Sequence, residues 1–315
     1  MKKTYLTILL IVPVLVFLAG ISPAEGAVKE KFEESFNKIE KLAKDGRVSI
    51  KNVSGKIEIA TWNKDEVKID AVKISRASSM KEAEENAALV KINVTNESDL
   101  VRIETEYPRR TFKRFNVSVE YILTIPNEAS IRVANVSGSV NVKGIGGTTD
   151  ISVTSGNLIC DGAKRVDLET ISGNMDVSNI EGDAFLKATS GRIEAVKITG
   201  SVEAEVVSGG IELRGVSKAD RVKAKAISGT LVYEGDINPN GIYELKVHSG
   251  TIKMILPSNA AFDLDASTFS GSIDTDFDVS VTGAIKKKEL RGKVNGGGAE
   301  VELEAFSGTI RILKK

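Results

Sequence analysis

The sequence predicts an all-β chain, a β-solenoid of stacked two-strand coils of about 18–21 residues, with a short helical insert near the N-terminus. Three observations carry this prediction. The first is a recurring Ser-Gly pair, at Ser54, Ser137, Ser155, Ser172, Ser190, Ser208, Ser228, Ser249, Ser270 and Ser307. From the second copy on, the glycines are Gly138, Gly156, Gly173, Gly191, Gly209, Gly229, Gly250, Gly271 and Gly308. From Ser137 the steps are 18, 17, 18, 18, 20, 21 and 21 residues, then 37, which reads as two repeats with one Ser-Gly lost. The second observation is period-two alternation around each pair, as in Met175 and Val177 after Gly173 and Ala184, Leu186 and Ala188 before Ser190. Such alternation marks strands with one buried face. The third is the alternation of Lys and Glu with aliphatic residues along these strands, as in Val202-Glu203-Ala204-Glu205-Val206, which gives each coil a solvated outer face.

A two-strand unit of this size cannot bury its apolar side alone, whereas coils stacked at about 4.8 Å can. The glycine then supplies the positive φ of a sharp corner. The serine hydroxyls, stacked in register, are expected to form a ladder. The apolar residues just before the pair (Ile171, Val207, Ile227, Phe269 and Phe306) are expected to line the core beside the corner.

In chain order, residues 1–26 read as a secretion signal. Lys2 and Lys3 precede an apolar run from Ile8 to Ala19, and small residues allow cleavage after Ala24 or Gly26. The competing reading is a retained anchor, which Pro13 and the short run disfavour. Residues 27–130 form an N-terminal β region and 131–315 the Ser-Gly solenoid, together one continuous elongated domain. Phe32, Phe36, Ile39 and Leu42 are spaced for a short amphipathic helix, or they belong to an extended arm laid on the first coil. Strands follow at Val48–Ile50, Val53–Ile59 and Val67–Ala71. Ser78–Ala88 predicts a helix, with Ser79 as N-cap and Glu82 as its capping-box partner. It falls within the 83 residues that separate Ser54 from Ser137. Asn96-Glu97-Ser98-Asp99 predicts a turn between two further strands, and a long strand spans Val117–Pro126.

The order of these pieces carries a resemblance. An early VSGKIEIATW pair and a helical insert come first; YILTIPNEASIRVANVSGSVNV, the Ser-Gly coils, LPSNAAFDLDASTFSGSIDTDF and a GGGAEVELEAFSGTIRI ending follow. This resembles the DUF4097-type family of β-strand repeat proteins, candidate adhesins of bacteria and archaea, over nearly all of the chain after the signal. The resemblance implies a surface or envelope protein with an adhesin-like solenoid. It transfers no catalytic residue.

The residues themselves point to binding rather than chemistry. Net charge is zero, with 43 basic and 43 acidic residues, so no global field favours nucleic acid. His248, the only histidine, precedes Ser249, but strand neighbours face opposite ways and a Ser-His pair needs contact. The solitary Cys160 excludes an intrachain disulfide and reads as an outward or corner position. Asp263, Asp265, Asp274 and Asp276, with Asp278 beyond them, flank Ser270-Gly271 and form the one candidate Ca²⁺ face. Arg109, Arg110, Lys113 and Arg114, with Tyr107, Phe112 and Phe115 interleaved, are the densest positive spot, a contact for anionic polymers or a solvated loop. Gly144-Ile145-Gly146-Gly147 lies between two strands and so is not a phosphate loop.

No cofactor is expected. The functional expectation is an exported, non-enzymatic adhesin-like binding or scaffolding protein whose partners are cell-wall or surface glycans or another envelope protein. Two alternatives remain: a carbohydrate-active enzyme working through Asp274 and Asp276, and an envelope-stress regulator with a protein partner.

Overall fold

The computed structural model describes residues 29–108, 115–281 and 288–315. The protein is all-β, with twenty-one strands and one short helix among the described residues. The signal at 1–26 lies outside them, as do Arg109, Arg110, Phe112, Lys113 and Arg114.

The N-terminal strands are β1 (Glu30–Lys41), β2 (Arg47–Ser54), β3 (Ile57–Trp62) and β4 (Glu66–Ala77). Helix α1 (Met80–Ala88) follows, then β5 (Lys91–Glu97), β6 (Leu100–Glu106) and β7 (Val117–Pro126). The repeats comprise β8 (Ser130–Ser137), β9 (Val140–Ser155), β10 (Leu158–Ser172), β11 (Met175–Ile180), β12 (Ala184–Ser190), β13 (Ile193–Ile198) and β14 (Val202–Ser208). They continue through β15 (Ile211–Arg214), β16 (Arg221–Glu234) and β17 (Ile242–Leu256). The chain closes with β18 (Phe262–Thr275), β19 (Val279–Val281), β20 (Glu289–Val294) and β21 (Ala299–Lys314).

Each repeat lays one strand segment leading into its Ser-Gly corner and one leaving it. Every segment pairs in parallel with its equivalent in the next repeat. The corner serines align without a slip: Ser54 with Ser137, Ser137 with Ser155, then Ser172, Ser190, Ser208, Ser228 and Ser249. Alternate residues point inward from both segments. Val222, Ala224 and Ala226 face in before one corner, and Leu231 and Tyr233 after it; all are at most 4 % exposed. Burying a valine or leucine side chain in this way contributes about 1.5–3 kcal/mol. Tyr121, Tyr233 and Tyr243 are also inside, the last two edge-to-face at 5.5 Å, and each finds a partner for its hydroxyl.

The corner explains the dipeptide. Gly209 has φ near 141°, and a Cβ there would lie 1.8 Å from the carbonyl oxygen of Gly191, one repeat away. Gly173 and Gly229 meet the same obstacle at 2.0 and 1.5 Å. The hydrogen bonds that join corner to corner are made by the backbone: Gly138 N–H donates to Ser155 O at 2.9 Å, Gly156 to Ser172 at 2.9 Å and Gly191 to Ser208 at 3.1 Å. Nine of the ten corner serines stand exposed outside this ladder, and Ser54 is half-buried. A side-chain ladder does form one residue past the glycine, where Asn157 Oδ1 accepts from Asn174 N–H and Asn174 Oδ1 accepts from Arg192 N–H.

Spatial order departs from chain order at both ends. The 37-residue step is not a lost repeat. The last strand, β21, inserts between β17 and β18, so that Ser249 aligns with Ser307 and Ser307 with Ser270. At the other end β2 and β3 lie between β8–β9 and the later strands β6 and β7. The first and last coils in sequence are therefore each covered by another coil. Antiparallel strands complete the ends: β5 covers β6, β4 then β1 cover β7, and β20 then β19 cover β18. Ten aligned corners give a stack roughly 43 Å long at the spacing of neighbouring strands.

Two local expectations need correction. Residues 30–41 form a strand rather than a helix, and it pairs with β4 at the end of the sheet instead of lying on the first coil. Phe32 and Phe36 share one strand face and are half-buried, Phe36 against the core, whereas Ile39 falls on the opposite face and is exposed. The apolar residues just before Ser-Gly do not line the core. The residue before each (Thr170, Val206, Ala226, Thr268, Ala305) takes the inward position, so period two sends Ile171, Val207, Ile227, Phe269 and Phe306 outward. Helix α1 forms as expected, with Ser79 Oγ accepting from Glu82 N–H at 3.3 Å.

Replacing Gly209 with alanine should cost about 3 kcal/mol or more, from left-handed strain plus overpacking, whereas Ser208→Ala should stay within about 0.5 kcal/mol. Urea denaturation measures both. Truncation after Val294 removes β21 from between β17 and β18. It should therefore deprotect β17 and β18 amides to hydrogen exchange together, where a stack in chain order would lose only its last coil.

Candidate interaction surface

The outward position before each corner builds a ladder across the stack. In spatial order its side chains are Val53, Val136, Thr154, Ile171, Thr189 and Val207, then Ile227, His248, Phe306 and Phe269. The aliphatic members are 41–54 % exposed and Phe269 is 75 % exposed. Toward the C-terminal end the ladder becomes aromatic. His248 stacks flat on Phe306 at 4.7 Å between centroids, and Phe306 on Phe269 at 5.0 Å, with interplanar angles of 7° and 6°. A shallow groove of about 500 Å³ runs beside this part, with Val207, Ile227, His248 and Phe306 among its lining residues.

Two residues further from each corner runs a charged column, of which Lys187, Glu205, Lys225, Lys246 and Glu304 also line the groove. Lys246 donates to Glu302 at 2.6 Å and lies 3.2 Å from Glu304. Chiefly its hydrogen bond to Glu302 holds its ammonium pKa above the ordinary value. One step beyond, Lys223 bridges Glu203 and Arg221 bridges Glu244. The ladder is thus an apolar stripe between exposed serines and a mixed-charge column, a contact surface that needs no deep pocket.

The sites expected from sequence fall apart or acquire other roles. His248 presents its ring to Phe306 and forms no dyad with Ser249. Asp263 and Asp265 precede the Ser270 corner and face Lys293 at 3.8 Å and Arg291 at 2.9 Å. Asp274 and Asp276 follow the corner, where Asp276 accepts from Lys314 N–H at 3.2 Å. The four carboxylates therefore do not converge. Among the described residues no group of three or more His, Cys, Asp or Glu side chains is placed to hold a metal ion. Cys160 is not outward: it shares the parity of Leu158 and is fully buried, which pushes its thiol up to about 12. Asn52 and Asn135, both in glycosylation-like triplets, are buried; their amides donate to Val119 O and to the Gly55 and Gly138 carbonyls. No helix among the described residues is long and apolar enough to cross a membrane.

The strands and their corners define a repetitive all-β stack with one exposed side-chain ladder. The Toastrack DUF4097 family model matches residues 46–313, and the chain belongs to that family. Among solved structures, a candidate adhesin from Parabacteroides distasonis shares 11 % identity at a TM-score of 0.43, covering 89 % of this chain and 97 % of that one. A candidate adhesin from Bacteroides fragilis shares 12 % at a TM-score of 0.34, again covering 89 % and 97 %. A candidate cell adhesion protein from Clostridium sporogenes shares 12 % at a TM-score of 0.26, covering 90 % and 100 %. No protein of curated function matches the chain.

The buried thiol and phenols set a pH dependence. Burial pushes Tyr121 and Tyr107 up to about 12, as it does Cys160. The unfolded chain loses these protons first, near their ordinary values of 9 to 10, so stability is full below about pH 9 and falls as pH climbs toward 12. The urea midpoint should be flat from pH 7 to 9 and then decline, less steeply in Tyr121→Phe. Cys160 should resist a thiol reagent at pH 7.5 until urea is added.

Proposed function

We propose that this protein is an exported β-solenoid that acts at the cell surface or envelope as an adhesin-like contact protein. The single observation that carries the reading is the ladder from Val53 to Phe269. Period two requires some side chain to point out there, but not that seven of the ten be Val, Ile or Phe. Water disfavours a long apolar stripe, and such a stripe on a folded protein marks a contact surface. Residues 27–315 act in this reading as one continuous elongated domain, which presents the stripe as many equivalent shallow contacts. Each is weak, and their linkage on one rigid stack multiplies them. The reading assigns no catalysis and no cofactor. The basic n-region and apolar run of residues 1–26 support export.

Binding of the protein to intact cells, cell-wall fractions and a glycan panel tests this. The triple variant Ile171→Ser, Ile227→Ser, Phe306→Ser alters only exposed positions, so its thermal midpoint should hold while retention falls at least tenfold. Calcium should make no difference, because the four aspartates divide across the corner. Unchanged retention by the variant, or no retention by the native protein, rejects the reading.

A further inference from the structure

The ladder is graded. Along the five coils from β14 to β18 its side chains run Val207, Ile227, His248, Phe306, Phe269, small at one end and large at the other. A partner that fits this stripe must be graded the opposite way. We infer that the partner is a second copy of this chain, packed antiparallel, ladder against ladder, about a two-fold axis that passes through His248. The inference rests on the reading of the ladder as a contact surface and names what meets it.

The geometry follows from symmetry. A two-fold axis lying in the interface and perpendicular to the stack keeps each column opposite its own equivalent and reverses the order of the coils. With the axis at His248, Phe306 of one copy meets Ile227 of the other, and Phe269 meets Val207. Every level then holds one large and one small side chain, or two imidazoles. A parallel pairing would set phenylalanine on phenylalanine and valine on valine, and would leave a wedge of water along the aliphatic end.

The charged columns reverse with the ladder. Lys225, one coil from the axis, meets Glu304, one coil on the other side, and in the next column Lys223 meets Glu302. The like charges on the axis, Lys246 and Glu244, are already compensated within each copy, Lys246 by Glu302 and Glu304 and Glu244 by Arg221. Glu203 and Asp265, which this register also opposes, are bridged to Lys223 and Arg291. Shifting the axis one coil toward β16 sets His248 against Val207 and leaves Lys223 and Lys225 facing themselves. Five coils span roughly 20–25 Å, so the contact belongs to the smaller, reversible class of interface.

Sedimentation velocity on the protein from about 1 to about 300 µM, the range in which a contact of this class associates, supplies the test. The native protein should shift from monomer to dimer across that range. Lys225→Glu alone and Glu304→Lys alone should each weaken association about tenfold, since each spoils two symmetric contacts. The two together on one chain should restore it, because the exchanged charges meet again only between antiparallel copies. A native protein that stays monomeric throughout overturns the inference, as does a dimer insensitive to the single reversals or a double variant weaker than either. If the protein stays monomeric yet the ladder variant loses binding to cells, self-pairing falls and the adhesin-like reading stands. If dimers form with charge-swap rescue and no cell, wall or glycan is retained, self-pairing stands and the adhesin-like reading falls.

Discussion

At the Ser-Gly corner the carbonyl oxygen of one glycine occupies the space where the Cβ of the next would be, less than 2.5 Å away through most of the stack. No side chain can enter there, so glycine recurs wherever two coils turn together. The close approach also brings each glycine N–H within bonding distance of the next serine carbonyl, which clamps the coils in register. Once the corner is fixed, every inward and outward position before and after it is fixed too, because a one-residue slip would turn a whole segment inside out. The core and the exposed ladder are two consequences of the same constraint.

A stack of parallel coils leaves unpaired strand edges at both ends, and open edges recruit other chains. Here the chain returns on itself. The N-terminal coil of β2 and β3 is overlaid by β6 and β7, and the C-terminal coil of β21 by β18. Antiparallel strands and α1 then finish the ends, and the outermost strand β1 carries exposed charged residues such as Glu30, Lys31 and Glu33.

That side combines two opposed demands. Its ladder exposes isoleucine and phenylalanine to water, a cost that folding alone does not require. Its neighbouring columns carry lysine and glutamate in bridged pairs, each worth little by itself at a solvated surface. Together they keep the stripe narrow.

Much of the fold was legible in the residues. The spacing of Ser-Gly announced stacked coils, alternation announced strands, and Ser79 with Glu82 announced the helix, because each depends on neighbours in the chain. The sequence by itself also determined that glycine holds the corners. What it did not determine was the facing of residues beside a corner, the place of the last coil and the depth of Cys160. Ile171 and Leu168 look alike as letters; only the inward turn of Thr170 shows that Ile171 stands in water. The 37-residue step has the length of two repeats whether a corner is lost or the chain leaps outward and comes back. Tertiary structure decided these points because each depends on which strands lie side by side, and pairing partners can be far apart in the chain, as Ser54 and Ser137 are, 83 residues apart and in direct register.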